Sequence, residues 1–345
     1  MQLHSLPKIE LHLHLDCSLS YQSVSALDPD VTPEKYQRDY VAPKLCTLPE
    51  FLERSRRGVA LLQTRDALRL VTEDVVHQLA ADGVVYAELR FAPLLHLERG
   101  LTPEQVVEAI DRTAERMIHE TGVEVRLILC TLRHFTEQQS MQTVKLVKRF
   151  CGSRVVGLDL AGDEAGFSLH NHVAAFRYAR EHSLNYTAHA GEGAGPESVW
   201  EVVRLLDSRR IGHGTRSSED PQLVEHLRRE RIHLEMCPAA NVQIIASIGS
   251  WERHPIDRLY RAGVALNVNT DTRMLTPTTL TREYEGLLQT FGWEAQELLN
   301  TNLMAVDAAF VEDNLKQQLR RRLQDAYGKT AVDEASAGVE TQTSI

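Results

Sequence analysis

His12 and His14 stand two residues apart in IELHLHLD (9–16), an otherwise apolar run that ends on Asp16. In a β-strand residues i and i+2 face the same side, so both imidazoles converge on one point beside a carboxylate. One such histidine is ordinary core; two at strand spacing next to an acid point to a metal ion, which demands further ligands elsewhere. His189 in HAGE and Asp271 in NTDT can supply them. Three imidazoles and a carboxylate suit zinc, one ion per chain, with a position left for water, as in a catalytic rather than a structural site. An ion of this kind brings the pKa of water towards neutrality, so hydrolysis is the expected chemistry. Glu192, three residues after His189, can deliver a proton, and His213 in RIGHGT can orient and polarise the attacking water. Taken singly, Glu192 reads equally well as a carboxylate at a helix N-terminus, and His213 reads better as a core histidine bonded to a carbonyl.

Residues so far apart in the chain need a scaffold that gathers them. Short β-rich runs occur at Ile9–Leu15, Val84–Phe91, Glu124–Leu132, Val155–Leu160, Asn185–Ala190, Arg210–His213, His233–Cys237 and Ala265–Asn269, with helical stretches between them. The helical stretches carry start signals: LTPEQVVEAIDRTAERMIHE offers Thr102 as N-cap, Pro103 in the first turn and Glu104 near the positive helix end. EDPQLVEHLRRE and PESVWEVVRLLDS read the same way. Eight mostly apolar strands, each followed by a helix, predict an α/β fold with a parallel sheet closed into a (β/α)₈ barrel, the TIM barrel. That fold places chemistry at the C-terminal strand ends. The candidate residues lie there: strand 1 ends on His12, His14 and Asp16, strand 4 runs into DLAGDE, strand 5 into HAGE, strand 6 into GHGT and strand 8 into NTDT. Residues 17–82 hold helices without a strand and are read as an insertion between strands 1 and 2 that covers the barrel mouth. The expectation is one domain over 1–328 and an irregular, disordered tail over 329–345, whose composition is weakly apolar and aperiodic.

Composition narrows the function. The chain has 345 residues, 43% hydrophobic and 25% charged, with no apolar run long enough to span a bilayer. A formal charge of -10 disfavours nucleic acid and anionic membrane surfaces as partners. Five cysteines without a C-x-x-C, and an N-terminus without a long apolar h-region, point to a reducing cytoplasm. The oligomeric state is left open. Strand 4, VVGLDLAG, has no lysine to bridge two ions; Lys145 and Lys148 lie before it, and although Asp159 or Asp163 could bridge, one metal is favoured over two.

The motifs KIELHLHLD, TLPEFL, VVYAELRFAP, DLAGDE, HAGE, RIGHGT and NTD, in this order, resemble the adenosine deaminase family of metal-dependent amidohydrolases, over Leu6 to Tyr327. The resemblance implies deamination of a purine nucleoside. It implies His12, His14, His189 and Asp271 as zinc ligands, Asp271 also taking a proton from the water, and His213 beside the attacking hydroxide. It further implies Glu192 as the acid that protonates purine N1, the Gly162 N–H as donor to N3, and Asp16 as the carboxylate that binds a ribose hydroxyl. Leu48 and Phe51, in TLPEFLER, lie on one face of a helix that matches the family's apolar gate; core packing is the default reading of such a stripe.

The chain departs from the family pattern at two positions. Thr272 stands where the family commonly has a second aspartate that contacts N7; its hydroxyl can donate to that lone pair. Cys17 follows Asp16 where glycine is usual, and the segment from Asp16 to Leu48 is shorter. These departures leave the deamination machinery complete and put the choice of substrate between adenosine, deoxyadenosine, free adenine and modified 6-aminopurine nucleosides. A cytidine-type deaminase would show H-x-E and P-C-x-x-C, and neither is present. A non-catalytic descendant would be expected to have lost a ligand or the acid, and none is missing.

Overall fold

The first strand shows how this sequence builds its barrel. In a computed structural model that describes residues 2–340, β1 (Lys8–His14) is buried from Lys8 to Leu13, its odd residues Ile9, Leu11 and Leu13 apolar and its even ones polar. The other strands are β2 (Val84–Phe91), β3 (Glu124–Leu132), β4 (Val155–Ala161), β5 (Asn185–Ala190), β6 (Arg210–His213), β7 (His233–Met236) and β8 (Leu266–Val268). They form one eight-stranded parallel sheet in sequential order, so the expected barrel is present. Residue ranges differ from expectation by one residue at a few ends.

β8 is the shortest strand because side chains take over the seam where it meets β1. Asn269 Oδ1 accepts from Leu11 N (2.8 Å) and His12 N (3.1 Å), and Asn302 Oδ1 accepts from Ile9 N (2.8 Å). Higher up, Asp271 N donates to His12 O (3.0 Å) and His14 N to Asp271 O (2.8 Å). The seam thus places Asp271 against both histidines of β1.

Four α-helices, Tyr21–Leu27, Pro33–Asp39, Leu48–Leu61 and Arg65–Ala81, lie between β1 and β2. The Leu48–Leu61 helix opens on a capping box between Thr47 and Glu50 with Pro49 in its first turn, which fixes where Leu48 and Phe51 enter. The helix Pro103–Thr121 starts at the expected N-cap Thr102 and ends on Gly122 in the left-handed conformation. PESVWEVVRLLDS departs from the expected single α-helix. It is helical over Pro196–Glu201 and then widens to π geometry over Val202–Leu206, ending on Asp207 at φ 57°. The last helix, Asp313–Glu340, carries the backbone into the segment 329–345 expected to be irregular, and 341–345 lie outside the described residues. No helix among the described residues is long and apolar enough to cross a membrane.

Barrel interiors are commonly filled by branched aliphatic layers. Here the inward residues of β2, β4, β6 and β7 form an ionic layer instead. Arg90 contacts Asp159 (3.1 Å) and Glu235 (2.7 Å), and Arg210 contacts Glu235 (2.6 Å) and Glu88 (2.7 Å); all five side chains are buried. Tyr86 and Thr187 add hydrogen bonds to Glu88 and Glu235. Removing one partner of a buried pair leaves an uncompensated charge, which costs about 3–5 kcal/mol. Arg210→Met should therefore lower the unfolding free energy by about that amount in urea titrations. A loss below about 1 kcal/mol would show that the layer tolerates net charge.

Candidate active site

A cavity of about 370 Å³ opens at the C-terminal end of the strands. Its walls include His14, Asp16, Leu48, Phe51, Gly162, His189, Glu192, His213, Asp271 and Thr272. Of the sequence-predicted residues, only His12 is absent from these walls. It is fully buried beneath them, with its ring centroid 4.6 Å from that of His189 and 4.7 Å from that of His213. A larger cavity of about 1030 Å³ lies at the opposite end, by Arg210, His233 and Phe310, and none of the predicted residues reaches it.

The imidazoles are held by carboxylates of the ionic layer. His12 Nδ1 donates to Glu235 Oε2 (2.9 Å) and His189 Nδ1 to Asp159 Oδ1 (3.2 Å). Each bond fixes a tautomer and turns the bare Nε2 lone pair towards the cluster. There His14 Nε2 lies 3.1 Å from His189 Nε2 and 3.6 Å from Asp271 Oδ1, and His12 Nε2 lies 3.4 Å from the same oxygen. His12 Nε2 is buried with no hydrogen-bond partner. Ligand atoms arranged tetrahedrally about 2.0–2.2 Å from one ion stand about 3.3–3.6 Å apart, so the spacing and the orphaned nitrogen both fit a bound cation. The groups His12–His14–Asp271 and His12–His189–His213 each bring their ligand atoms within 4.8 Å of one another, so the cluster can hold a metal.

Electrostatics divide the buried acids into two kinds. Burial alone would raise Glu235 and Asp159, but Arg210 and Arg90 hold Glu235 well below the carboxylate range, and His189 with Arg90 brings Asp159 to about 2. These two stay charged. Burial, then the charges of Asp271 and Glu164, pushes Glu192 well above its ordinary value, so it keeps a proton. Burial lifts Asp271 to about 7, an effect that a bound divalent cation would reverse. Burial and the neighbouring positive charges keep His12 and His14 far below the usual histidine range, hence neutral as ligands must be.

Each remaining wall residue is held by its local backbone. His213 closes β6 at φ 62°, and Asn241, whose Oδ1 is taken by Thr215 and His254, donates to its Nδ1 (3.1 Å). That network assigns the neutral ring's proton to Nε2. Glu192 Oε1, 3.4 Å from His213 Nδ1, has no hydrogen-bond partner, nor has Thr272 Oγ1; both are buried. Asp16 Oδ2 accepts from Ala92 N (3.2 Å) and lies 3.5 Å from His96 Nε2. Cys17, buried beside it, places Sγ 3.7 Å from Asp16 Oδ1. Gly162 sits at φ 98°. Asp159, weighed from sequence as a bridge between two ions, instead serves His189 and Arg90, and Asp163 caps Gly166. Sequence reasoning missed Glu235, Arg90, His96 and Asn241; the available signal was a charge inside an apolar strand, as in HLEM and ELRF.

A family model described as adenosine deaminase matches residues 7–326. Adenosine deaminase 1 of Streptomyces coelicolor is 35% identical over 338 residues, covering 90% of this chain and 84% of that protein. Among solved structures, an adenine deaminase from Arthrobacter aurescens superposes with a TM-score of 0.85 at 25% identity, covering 93% of this chain and 98% of that one. The N6-methyl-AMP deaminase of Arabidopsis thaliana gives 0.84 at 28% identity, covering 95% and 98%.

If Asp159 orients His189 for a metal, Asp159→Asn should weaken metal binding about 10–100-fold, as loss of such partners generally does. Chelator competition with the purified protein measures this, and an unchanged affinity would reduce Asp159 to a partner of Arg90 alone.

Proposed function

The chain belongs to the adenosine deaminase family, and from that membership and the geometry of the site we propose that it converts adenosine and deoxyadenosine to inosine and deoxyinosine, releasing ammonia, with one zinc ion per chain. In this reading His12, His14, His189 and Asp271 hold the ion, which when bound supplies a nucleophile from water at neutral pH. The chain's own groups do the rest. Glu192 gives its proton to purine N1, which breaks the ring's aromaticity and leaves C6 electrophilic. His213 orients the attacking water and Asp271 accepts its proton. As the C6–N bond breaks, the amino group takes the proton held by Asp271 and leaves as ammonia, while the C6 hydroxyl gives its proton to the Glu192 carboxylate and becomes the carbonyl. The N–H of Gly162 donates to N3, where a positive φ and the absence of a side chain let the base come close. Thr272 Oγ1, which has no partner in the protein, donates to N7. Asp16 binds a ribose hydroxyl, and Leu48 and Phe51 shut the apolar side of the cavity over the substrate.

The observation that carries this reading is that a buried carboxylic acid with a free oxygen lines the same cavity as His14, His189 and His213, with the bare Nε2 of His12 buried directly beneath them. A second reading, deamination of adenine or of another modified 6-aminopurine nucleoside, is favoured by Thr272 in place of a carboxylate. The likeness to an adenine deaminase and an N6-methyl-AMP deaminase favours it as well.

Release of ammonia from adenosine, deoxyadenosine and adenine, and of methylamine from N6-methyl-AMP, separates the two. Adenosine should turn over with kcat/KM on the order of 10⁴ M⁻¹s⁻¹ or more. Glu192→Gln should lose about 10²–10⁴-fold in kcat, the usual share of a general acid. Adenine or N6-methyl-AMP as the better substrate would move the assignment to the second reading, and no amine released from any of the four would sink both. Asp16→Asn should raise KM for adenosine by about tenfold or more, the worth of a hydrogen bond to a charged group, and leave adenine unaffected. Equal effects on both would remove Asp16 from the ribose.

A further inference from the structure

Glu164 makes an unusual set of contacts for a residue outside the reacting groups. It follows β4, is buried, and its carboxylate accepts four successive backbone N–H groups of the turn after β5. Gly191 N donates to Oε1 (2.6 Å), and Glu192 N (3.0 Å), Gly193 N (2.7 Å) and Ala194 N (3.1 Å) donate to Oε2. Consecutive N–H groups turned inward make a concavity for an anion, here filled by a side chain. No guanidinium or ammonium contacts Glu164 at ion-pair distance among the described residues, so the N–H groups of this turn are the partners of its buried carboxylate.

The turn has little freedom besides this clamp. Gly191 lies at φ 72°, where a Cβ would stand 2.7 Å from Val199 Cγ2. A Cβ at Gly193 would stand 2.8 Å from Leu48 Cδ2. Glu192 therefore projects from a short backbone bow whose shape is set by where the Glu164 carboxylate sits. Its own Oε1 makes no hydrogen bond and only stands 3.4 Å from His213 Nδ1, so the backbone of the turn is what sets its position.

We infer that Glu164 is a positioning residue for Glu192, its carboxylate clamping the 191–194 turn so that the Glu192 carboxyl is held at the height of the base. The inference rests on the reading of Glu192 as the proton donor to N1. Glu164 also stands two residues after Gly162 on the same loop. One side chain thus ties the segment that meets the N3 edge of the base to the segment that meets N1.

A displaced acid affects proton delivery and leaves ground-state binding through Asp16, Gly162 and Thr272 in place. The isosteric variant Glu164→Gln turns an NH₂ group against inward N–H donors and should distort the turn. Misplacement of a catalytic group by about 1 Å costs on the order of 10²-fold, so kcat should fall by about that factor. KM for adenosine should stay within about threefold and metal content at the wild-type level. Glu164→Asp keeps the charge but reaches fewer of the four donors, and should recover part of the kcat lost in Glu164→Gln. Should Glu164→Gln fail to fold, Glu164→Asp carries the test through a reduced kcat at unchanged KM. A kcat within about threefold of wild type in the folded variants overturns the inference. So does a parallel loss of metal or a rise in KM that matches the fall in kcat, since that is general structural damage. If the wild-type protein itself releases no ammonia from adenosine while another aminopurine reacts, the same comparison is run on that substrate with the same expected split. If wild type is inert on all, the functional reading fails and this inference falls with it.

Discussion

Two hydrogen bonds from histidine to carboxylate, His12 to Glu235 and His189 to Asp159, are what the rest of the site depends on. Without them each ring would choose its tautomer freely, and the Nε2 lone pairs would not converge. The carboxylates can be buried because Arg90 touches both and Arg210 touches Glu235 again. Buried ion pairs of this kind add little net stability. Their presence in place of an aliphatic layer is explained by orientation: an apolar interior would pack as well but would give the imidazoles no fixed direction.

The same enclosed space keeps some acids charged and others neutral, and the difference is local. Glu235 and Asp159 have guanidinium neighbours and remain ionised, as their role under the imidazoles requires. Glu192 has no such neighbour, stands near Asp271 and Glu164, and holds a proton. Groups whose surroundings push their pKa values apart divide acid from base work, and this site draws that division along the axis of the barrel. The charged acids lie below the imidazoles and the protonated one faces the cavity.

The barrel and the residues it gathers at the cavity were legible in the sequence because each was marked locally. His12 and His14 share a strand face, and His189, His213 and Asp271 each end a β-rich run, so topology alone predicts that they meet. The supporting shell was not legible in that way. His12 and Glu235 are 223 residues apart, and no spacing rule connects them. Glu164 was visible in DLAGDE, but its four backbone partners exist only once the 191–194 turn has formed. The π widening after Glu201 likewise escaped, since the sequence there has ordinary helical character and the extra backbone width comes from packing.

Backbone conformation at the strand ends shows what the site demands of the fold. Among the described residues five non-glycine positions have positive φ, and two of these, His213 at the end of β6 and Asp271 three residues beyond β8, line the cavity. The left-handed region costs such residues roughly 1–2 kcal/mol each, and glycine would avoid the cost. Glycine is excluded at both because the side chain is the reason for the position. The surrounding bonds must then hold the strained form. Asp271 is fixed through its own N–H and C=O to the two residues flanking Leu13 on β1. The neighbour of His213, Gly214, donates to Ala190 O (2.9 Å) across the sheet. In both cases the clamp is a strand that itself carries one of the histidines or leads directly from one. The barrel's closure and the convergence of the polar cluster are therefore a single structural event, and a chain that left the seam between β8 and β1 open would lose the carboxylate of the cluster along with its topology.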